Sequence, residues 1–412
     1  MRDLLGYLAS RYGQIALFAF CLALLPLLVQ SPYWLSTLIF AGLFTILTVG
    51  LCLLLGYAGQ ISLGQNAFYG LGAYASAIAT TRYGLSPWLG ILISVLLTSV
   101  LAAVLARPVF KLRGQFLAMA TLGLGLIFFI LFNEASGLTG GPSGISGIPY
   151  LSIGSSMAAD TAGDPGGLVF DQDIEYYYLV WGVAVATLLL SLNLVNSRLG
   201  RALRALGNSE VATQSVGVDT ARLKAQVFVI ASAFAGLAGS LYAHYVTFVN
   251  PSPFGLHTSL MLLVMAAIGG MGTVWGAPFG AAVITLLTEL LRSLVPRLSN
   301  HASGEYEIIV FGVLLIVIIR WMPEGVVPKL GRYYRAIYEC TIGPRLALRG
   351  LATRQSGRPF RSAEEADEAG TAPGAKALLP PVLRTWHERA WHGQKRVDPR
   401  SSGYTQPDGV GQ

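Results

Sequence analysis

Residues that could carry catalysis or bind a metal are few and scattered in this 412-residue chain. A metal or catalytic site needs several histidine, cysteine or acidic side chains at matching spacings. The histidines stand at 244, 257, 301, 387 and 392, and the cysteines at 21, 52 and 340. The phosphate-binding pattern G-x-x-x-x-G-K-[ST] does not occur. We therefore predict no metal site, no bound cofactor and no enzymatic activity for this chain.

Charged residues inside long apolar runs form a second group of candidates. They are Glu134, Glu289, Arg292 and Arg320, with His244 and Glu307 at the ends of runs. An ionisable group in apolar surroundings is costly, so it is a functional candidate by default. Arg292 follows Glu289 by three residues, and the two can pair on one helix face. None stands alone in the middle of a run, as a proton-coupling carboxylate would, which argues against a carrier driven by protons or sodium.

A polar, basic and helix-prone segment, residues 196–226, interrupts the apolar runs. Within it, Asn208 or Ser209 can cap a helix that begins near Glu210, where the helix dipole favours an anion. Gly217 stands where a helix commonly ends in a left-handed conformation. We expect a two-turn helix preceded by a basic amphipathic segment, 198–206. Such an element either contacts a soluble motor protein or rests on anionic lipid headgroups.

The composition indicates a membrane protein. Hydrophobic residues make up 53% of the chain and charged residues 12%, against about 25% charged in soluble domains. A membrane-spanning helix needs about 20 mostly apolar residues. Ten runs qualify: 15–30, 35–55, 67–81, 88–106, 116–132, 177–195, 225–243, 258–275, 277–295 and 307–322, of which 67–81 is the weakest. We predict an all-α polytopic fold of about ten transmembrane helices, with no nucleic-acid site.

Positive charges in the short loops predict the orientation. Arg107, Lys111 and Arg113 follow the fourth run, and Arg198, Arg201, Arg204, Arg222 and Lys224 follow the sixth. Both clusters, the amino terminus and the carboxyl tail fall on one side of a ten-span arrangement. Because cytoplasmic loops carry an excess of Lys and Arg, that side is expected to be the cytoplasm.

The segment around Glu210 resembles a known loop. Glu210-x-Ala212…Gly217 is similar to the glutamate–alanine–glycine loop of ABC importer permeases, in the longer form of the branched-chain amino acid permeases. Five further stretches are similar: "GYAGQISLGQNAFYGLGAYASA" (56–77), "KLRGQFLAMATLGLG" (111–125), "LTGGPSGISGIP" (138–149), "FAGLAGSLYAHYVTFVNPSPF" (234–254) and "AIGGMGTVWGAPFGA" (267–281). Over roughly residues 35–327 the chain resembles the LivM-type permease subunits.

The resemblance implies a transport subunit that holds no ATPase itself. Its expected partners are a second, LivH-type permease subunit, two ABC ATPase subunits and a periplasmic binding protein that delivers branched-chain or related amino acids across the bacterial inner membrane. The loop expected to dock into the ATPase comprises Arg201, Arg204, Gly207, Asn208, Glu210, Ala212 and Gly217. Relatives in the family also carry urea, short amides and other small polar solutes, so the solute stays open.

Small and polar residues of the 56–81 segment are candidates to line the pathway. Gln65, Tyr69, Gly72, Ser76 and Thr80 recur at helical spacing, and Gln60, Ser62 and Asn66 adjoin them. Such a stripe either lines a route for a zwitterion or packs against a neighbouring helix.

Two segments depart from the family pattern. The outer loop 154–176 is acidic and Gly-rich, and is either a contact for the binding protein or a solvated loop. Residues 328–412 hold 14 Lys/Arg and 8 Asp/Glu, and we predict a basic, mostly disordered cytoplasmic tail beyond a permease domain at 1–327. A secondary carrier or channel that works without an ATPase is the alternative from a different class, but it leaves residues 196–226 unexplained.

Overall fold

A computed structural model describes residues 11–28, 31–110, 112, 114–151, 172–298, 312–313, 316, 320 and 325–327. Four sequence predictions lie wholly or largely outside these residues. They concern the run at 307–322, the outer loop at 154–176, the tail at 328–412 and the domain boundary that precedes this tail.

Helices make up most of the described chain. They are α1 (Arg11–Leu28), α2 (Pro32–Cys52), α3 (Gln65–Thr81), α4 (Pro87–Val109), α5 (Gln115–Glu134), α6 (Ser136–Thr139), α7 (Gln172–Asn196), α8 (Arg198–Asn208), α9 (Glu210–Ser215), α10 (Thr220–Val246), α11 (Leu256–Gly269) and α12 (Gly276–Leu298). Two strands, β1 (Ile145–Ser146) and β2 (Phe248–Val249), pair antiparallel. Proline in the first turn of α2 and of α4, Pro32 and Pro87, suits a position whose N–H needs no helical partner.

Five helical segments are long and apolar enough to cross a membrane. They are Pro32–Tyr57, Pro87–Val109, Gln115–Glu134, Asp173–Asn196 and Thr220–Val246, which coincide with five of the predicted runs. Ile15–Pro26 and Leu256–Gly269 are apolar but shorter. The weakest predicted run forms α3, whose 17 residues reach about 25 Å. The structure confirms a polytopic helical membrane fold, while the number of ten spans stays a prediction.

The helices α2 and α10 form the centre of the bundle. Their apolar windows are 78% and 72% buried, whereas those of α4 and α5 are 28% and 22% buried. The helix α3 packs along α10 so closely that a side chain at Gly72 would overlap the backbone of Gly236. Small residues permit this approach, which gives membrane helices the dispersion contacts that hold them together. The outer faces of α4 and α5 are therefore exposed and apolar in the isolated chain.

The helical backbone is broken in two segments that lie against each other. The helix α2 widens into a π-helical turn, Leu53–Tyr57, and the chain runs irregularly to α3 at Gln65. The chain also breaks between α11 and α12, over residues 270–275. The two breaks touch, because a Cβ atom at Gly56 would overlap the carbonyl oxygen of Met271. Non-helical backbone at membrane depth is tolerated only where protein or a water-filled cavity surrounds it, and the contact provides such surroundings.

The two short strands join the loop that follows α6 to the loop that follows α10. They lie at the C-terminal end of α10. Ile145 pairs with Val249 and Ser146 with Phe248. The ring nitrogen Nδ1 of His244, near the end of α10, lies 2.8 Å from the carbonyl oxygen of Pro149. The segment after α5 is therefore fixed to the C-terminal end of α10.

Gly56→Ala should lower the free energy of unfolding by about 1–3 kcal/mol, because an added methyl group forces the two helix breaks apart. Gly182→Ala in α7 is the matched control, since nothing lies within 4 Å of a Cβ atom there. Thermal unfolding of the two detergent-purified variants should give a lower midpoint for Gly56→Ala alone. Equal midpoints would contradict the contact between the breaks.

Candidate functional site

The polar segment between α7 and α10 folds into two helices. The hydroxyl of Ser197 caps α8 by accepting a hydrogen bond from the backbone N–H of Gly200 at 3.4 Å. The hydroxyl of Ser209 caps α9 by accepting from the N–H of Ala212 at 3.3 Å. The chain leaves α9 through Gly217, whose φ of 84° is left-handed. The predicted helix start at Glu210 and the left-handed glycine are confirmed, and of the two candidate caps Ser209 is the one used.

An ion pair fixes α9 to the start of α10. The ammonium nitrogen of Lys224 lies 2.7 Å from Oε1 of Glu210, and the two side chains are 2% and 28% exposed. The side-chain amide of Gln214 donates a second hydrogen bond, of 2.8 Å, to the hydroxyl of Thr220. A buried ammonium needs such a partner, because its desolvation is not otherwise offset. The ion pair and the hydrogen bond thus attach α9 to the first two turns of α10.

The pairing of Lys224 with Glu210 was not predicted from the sequence. Lys224 was treated there only as one of the positive charges of a loop. The two residues stand 14 positions apart, and the turn at 216–219 decides whether they meet. No helical spacing relates them, so the sequence carries no signal for the pair.

The helix α8 contacts the break in α2. Leu203 and Leu206 are buried, and a Cβ atom at Gly207 would lie 2.8 Å from the carbonyl oxygen of Tyr57. Two residues further along the same break, Gly59 also lies against Gly207. The lack of a side chain at Gly207 thus allows α8 to touch irregular backbone directly.

The remaining predicted docking residues lie mostly on the surface. Arg201, Arg204, Asn208, Ala212 and Gly217 are exposed, and one guanidinium nitrogen of Arg204 donates to the carbonyl oxygen of Val195 at 2.9 Å. Two apolar side chains that sequence reasoning did not select, Val211 and Val216, are 74% and 80% exposed. The outward surface of α9 is therefore neutral and partly apolar. A docking role for these residues stays a prediction.

Three of the six predicted pathway residues contact neighbouring elements through hydrogen bonds. The amide nitrogen of Gln65 donates to the carbonyl oxygen of Ala231 at 2.8 Å, and that of Asn66 donates to the carbonyl oxygen of Phe254 at 2.8 Å. The hydroxyl of Ser76 lies 2.8 Å from Nε2 of His244. All three side chains are buried. In this conformation they hold α3 against α10 and the 252–255 turn, which agrees with the packing alternative.

The other three differ in their surroundings. Gln60 is partly buried and donates to the carbonyl oxygen of Ala58 at 2.9 Å. The hydroxyl of Ser62 is buried without a hydrogen-bond partner among the described residues. Tyr69 lies in the wall of a cavity. A pathway role for the six residues stays a prediction.

A cavity of about 780 Å³ lies between the first half of α2 and the second half of α12. Tyr69 of α3, Tyr242 of α10 and the turn that leads into α11 complete its wall. The cavity is at the opposite end of α2 from Tyr57, where α8 makes contact. Within the described ranges, no group of three or more His, Cys, Asp or Glu residues could hold a metal ion.

The fold and the site define a polytopic helical membrane permease. The chain belongs to the family described as "Branched-chain amino acid transport system / permease component", whose match covers residues 33–319. This confirms the family that the sequence motifs predicted.

Named relatives include both permease types of such systems. The chain is 34% identical to "High-affinity branched-chain amino acid transport system permease protein LivM" of Escherichia coli K12, over 75% of this chain and 74% of that protein. LivM of Salmonella typhimurium LT2 is 33% identical over the same shares. LivH of Salmonella typhimurium LT2 is 26% identical over 70% of this chain and 91% of LivH. No solved structure matches the chain.

Glu210→Gln should lower the free energy of unfolding by about 1–3 kcal/mol, because it leaves the ammonium of Lys224 buried without its carboxylate. Lys224→Met should cost less, since the partly exposed carboxylate of Glu210 can be hydrated. The double variant should recover most of the loss. Thermal unfolding of the three purified proteins forms a double-mutant cycle. Additive effects of the two changes would contradict a direct ion pair.

Proposed function

We propose that this chain is the membrane-spanning subunit of an ATP-driven importer of branched-chain or related amino acids. The observation that carries the proposal is the position of α8 and α9. This short helical pair contacts both the break in α2, through Gly207, and the start of α10, through Glu210 and Lys224. A soluble ATPase that moves α9 would thereby act on the two most buried helices of the bundle.

The mechanism that follows is alternating access. ATP binding closes the ATPase subunits, which displaces α9 and, through the ion pair, the first turns of α10. The break between α2 and α3 can absorb such a displacement, because a π-helical turn and irregular backbone change conformation more readily than a continuous helix. The ATPase shifts the equilibrium only by its differential affinity for the two conformations. The cavity at the other end of α2 would open or close in response.

The proposed assembly has the parts that the family implies. A second permease subunit of the LivH type would complete the pathway, two ABC ATPase subunits would bind the cytoplasmic face, and a periplasmic binding protein would deliver the solute. The similarity of this chain to proteins named LivM and to proteins named LivH supports a pair of related subunits. The proposed location is the bacterial inner membrane, with about ten spans and both termini in the cytoplasm.

Reconstitution tests the proposal. The chain, its LivH-type partner and the two ATPase subunits are placed in liposomes with ATP inside, and the binding protein and radiolabelled L-leucine are added outside. We expect uptake only when ATP and both ATPase subunits are present. Uptake by liposomes that hold this chain without any ATPase would instead favour a secondary carrier or a channel.

Gly217→Trp should abolish ATP-driven uptake while the protein is inserted at normal levels, because the indole obstructs the surface of α9. Gly84→Trp is the matched control, since both glycines have a positive φ, 84° and 61°, and open space around a Cβ atom. The conformational cost of a side chain, about 1–2 kcal/mol, is thus similar at both positions. Retained uptake in Gly217→Trp would remove the docking role of α9. Glu210→Lys is a less suitable variant, because it also places a second cation beside Lys224.

A further inference from the structure

The cavity between α2 and α12 combines opposite charges with an apolar wall. Glu289 and Arg292 both line it from the second half of α12, one helical turn apart. Phe40 and Phe44 of α2 and Met261 of α11 line it from other directions. A free α-amino acid carries the groups that match these features. Its ammonium group matches the anion, its carboxylate matches the cation, and an apolar side chain matches the apolar wall.

Hydroxyl groups add polar contacts to the wall. Thr285, which is 7% exposed, has a buried hydroxyl with no hydrogen-bond partner among the described residues. The hydroxyls of Ser36 and Thr37 donate to the carbonyl oxygen of Tyr33, at 2.9 and 3.0 Å. Each of these hydroxyl oxygens can still accept a hydrogen bond. The cavity wall therefore offers hydrogen-bond acceptors for an ammonium group in addition to Glu289.

We propose that this cavity binds the zwitterion of an α-amino acid, with Glu289 accepting hydrogen bonds from the ammonium group and Arg292 donating to the carboxylate. The apolar side chain of the amino acid lies against Phe40, Phe44 and Met261. The inference rests on the proposed function, because it gives the substrate of that importer a binding site within this chain.

The spacing of the two charges supports this assignment. Residues three apart on a helix have neighbouring Cβ atoms, about 5–6 Å from each other. Flexible Glu and Arg side chains can therefore reach both poles of one α-amino acid, whose ammonium and carboxylate groups share a single α-carbon. An Arg guanidinium also matches the planar geometry of a carboxylate and binds it by two parallel hydrogen bonds. A neutral solute such as urea would gain nothing from opposite full charges at this distance.

The size of the cavity is consistent with a transport site that binds its ligand weakly. Its volume of about 780 Å³ lies within the range of roughly 300–1,000 Å³ for small-molecule sites, but it greatly exceeds a single amino acid. Ligand contacts from only part of the wall give weak binding, and a transport site must release its ligand as readily as it takes it up. Weak binding here is compatible with high overall affinity, because a binding protein would supply the latter.

Protection of an introduced cysteine tests the site directly. Ser36→Cys is made in a variant that lacks Cys21, Cys52 and Cys340, and the full complex is reconstituted without ATP or binding protein. A charged methanethiosulfonate reagent then labels the cysteine in the presence of L-leucine, L-leucinamide or 4-methylpentanoate. Leucinamide lacks the carboxylate, and 4-methylpentanoate lacks the ammonium group. Tyr83→Cys, which is 75% exposed between α3 and α4 and does not line the cavity, is the control position.

L-Leucine at about ten times its Kd should slow labelling of Ser36→Cys about tenfold, and the two analogues should have little effect. Glu289→Gln and Arg292→Gln should each raise the Kd about tenfold or more. Glu289→Asp should retain part of the protection, which shows that the loss does not come from misfolding. Leu290→Gln, an exposed position on the same helix, should leave protection unchanged. Labelling at Tyr83→Cys should not respond to L-leucine.

Three results would overturn the inference. The first is that L-leucine gives no protection in a complex that takes up L-leucine with ATP. The second is that all three compounds protect equally. The third is that protection is unchanged in both Gln variants. The last result would mean that Glu289 and Arg292 serve only the structure of α12. Failure of the proposed function is a separate outcome, in which the complete complex shows no ATP-dependent uptake of L-leucine at all.

Discussion

The structure depends on the burial of backbone that is not helical. In a bilayer, an unpaired N–H or C=O group exposed to lipid costs several kcal/mol, so a broken helix must be covered by protein. Here the break after α2 and the break after α11 cover each other, at Gly56 and Met271, and α8 covers the first break from the polar side through Gly207. These glycines are required because carbonyl oxygens occupy the space that a side chain would fill.

The two regions to which we assign functions, the segment α8–α9 and the cavity, lie at opposite ends of the same helices. The helix α2 meets α8 at its end and lines the cavity with its first half, while α10 begins at the Glu210–Lys224 pair and contributes Tyr242 to the cavity wall. At its C-terminal end α10 is held by the loop at Pro149 and by β2. The helix α2, which is broken at one end, and the continuous helix α10, which is held at both ends, thus extend between the two regions.

Features that depend on neighbouring residues could be predicted from the sequence, and features that depend on distant ones could not. The start of α9 and the conformation of Gly217 follow from local capping rules, and the five long spans follow from hydropathy alone. The break in α2 was not predicted, because Leu53–Leu55 continue an apolar run without proline. The backbone that packs against the break, at Met271 and Gly272, is distant in the sequence. Likewise, the spacing of Gln65 and Ser76 predicted a shared face but not that α10 covers it. The cavity is assembled from five helices, so no single segment indicates it.

The internal pairing of Glu210 has a consequence for recognition. Residues 208–217 contain no other charged side chain, and this one is neutralised by Lys224 of the same chain. The surface of α9 itself thus carries no net charge, and the exposed Arg201 and Arg204 of α8 provide positive charge in the preceding helix. Charge and an uncharged, partly apolar surface are therefore presented by two successive helices of the same segment.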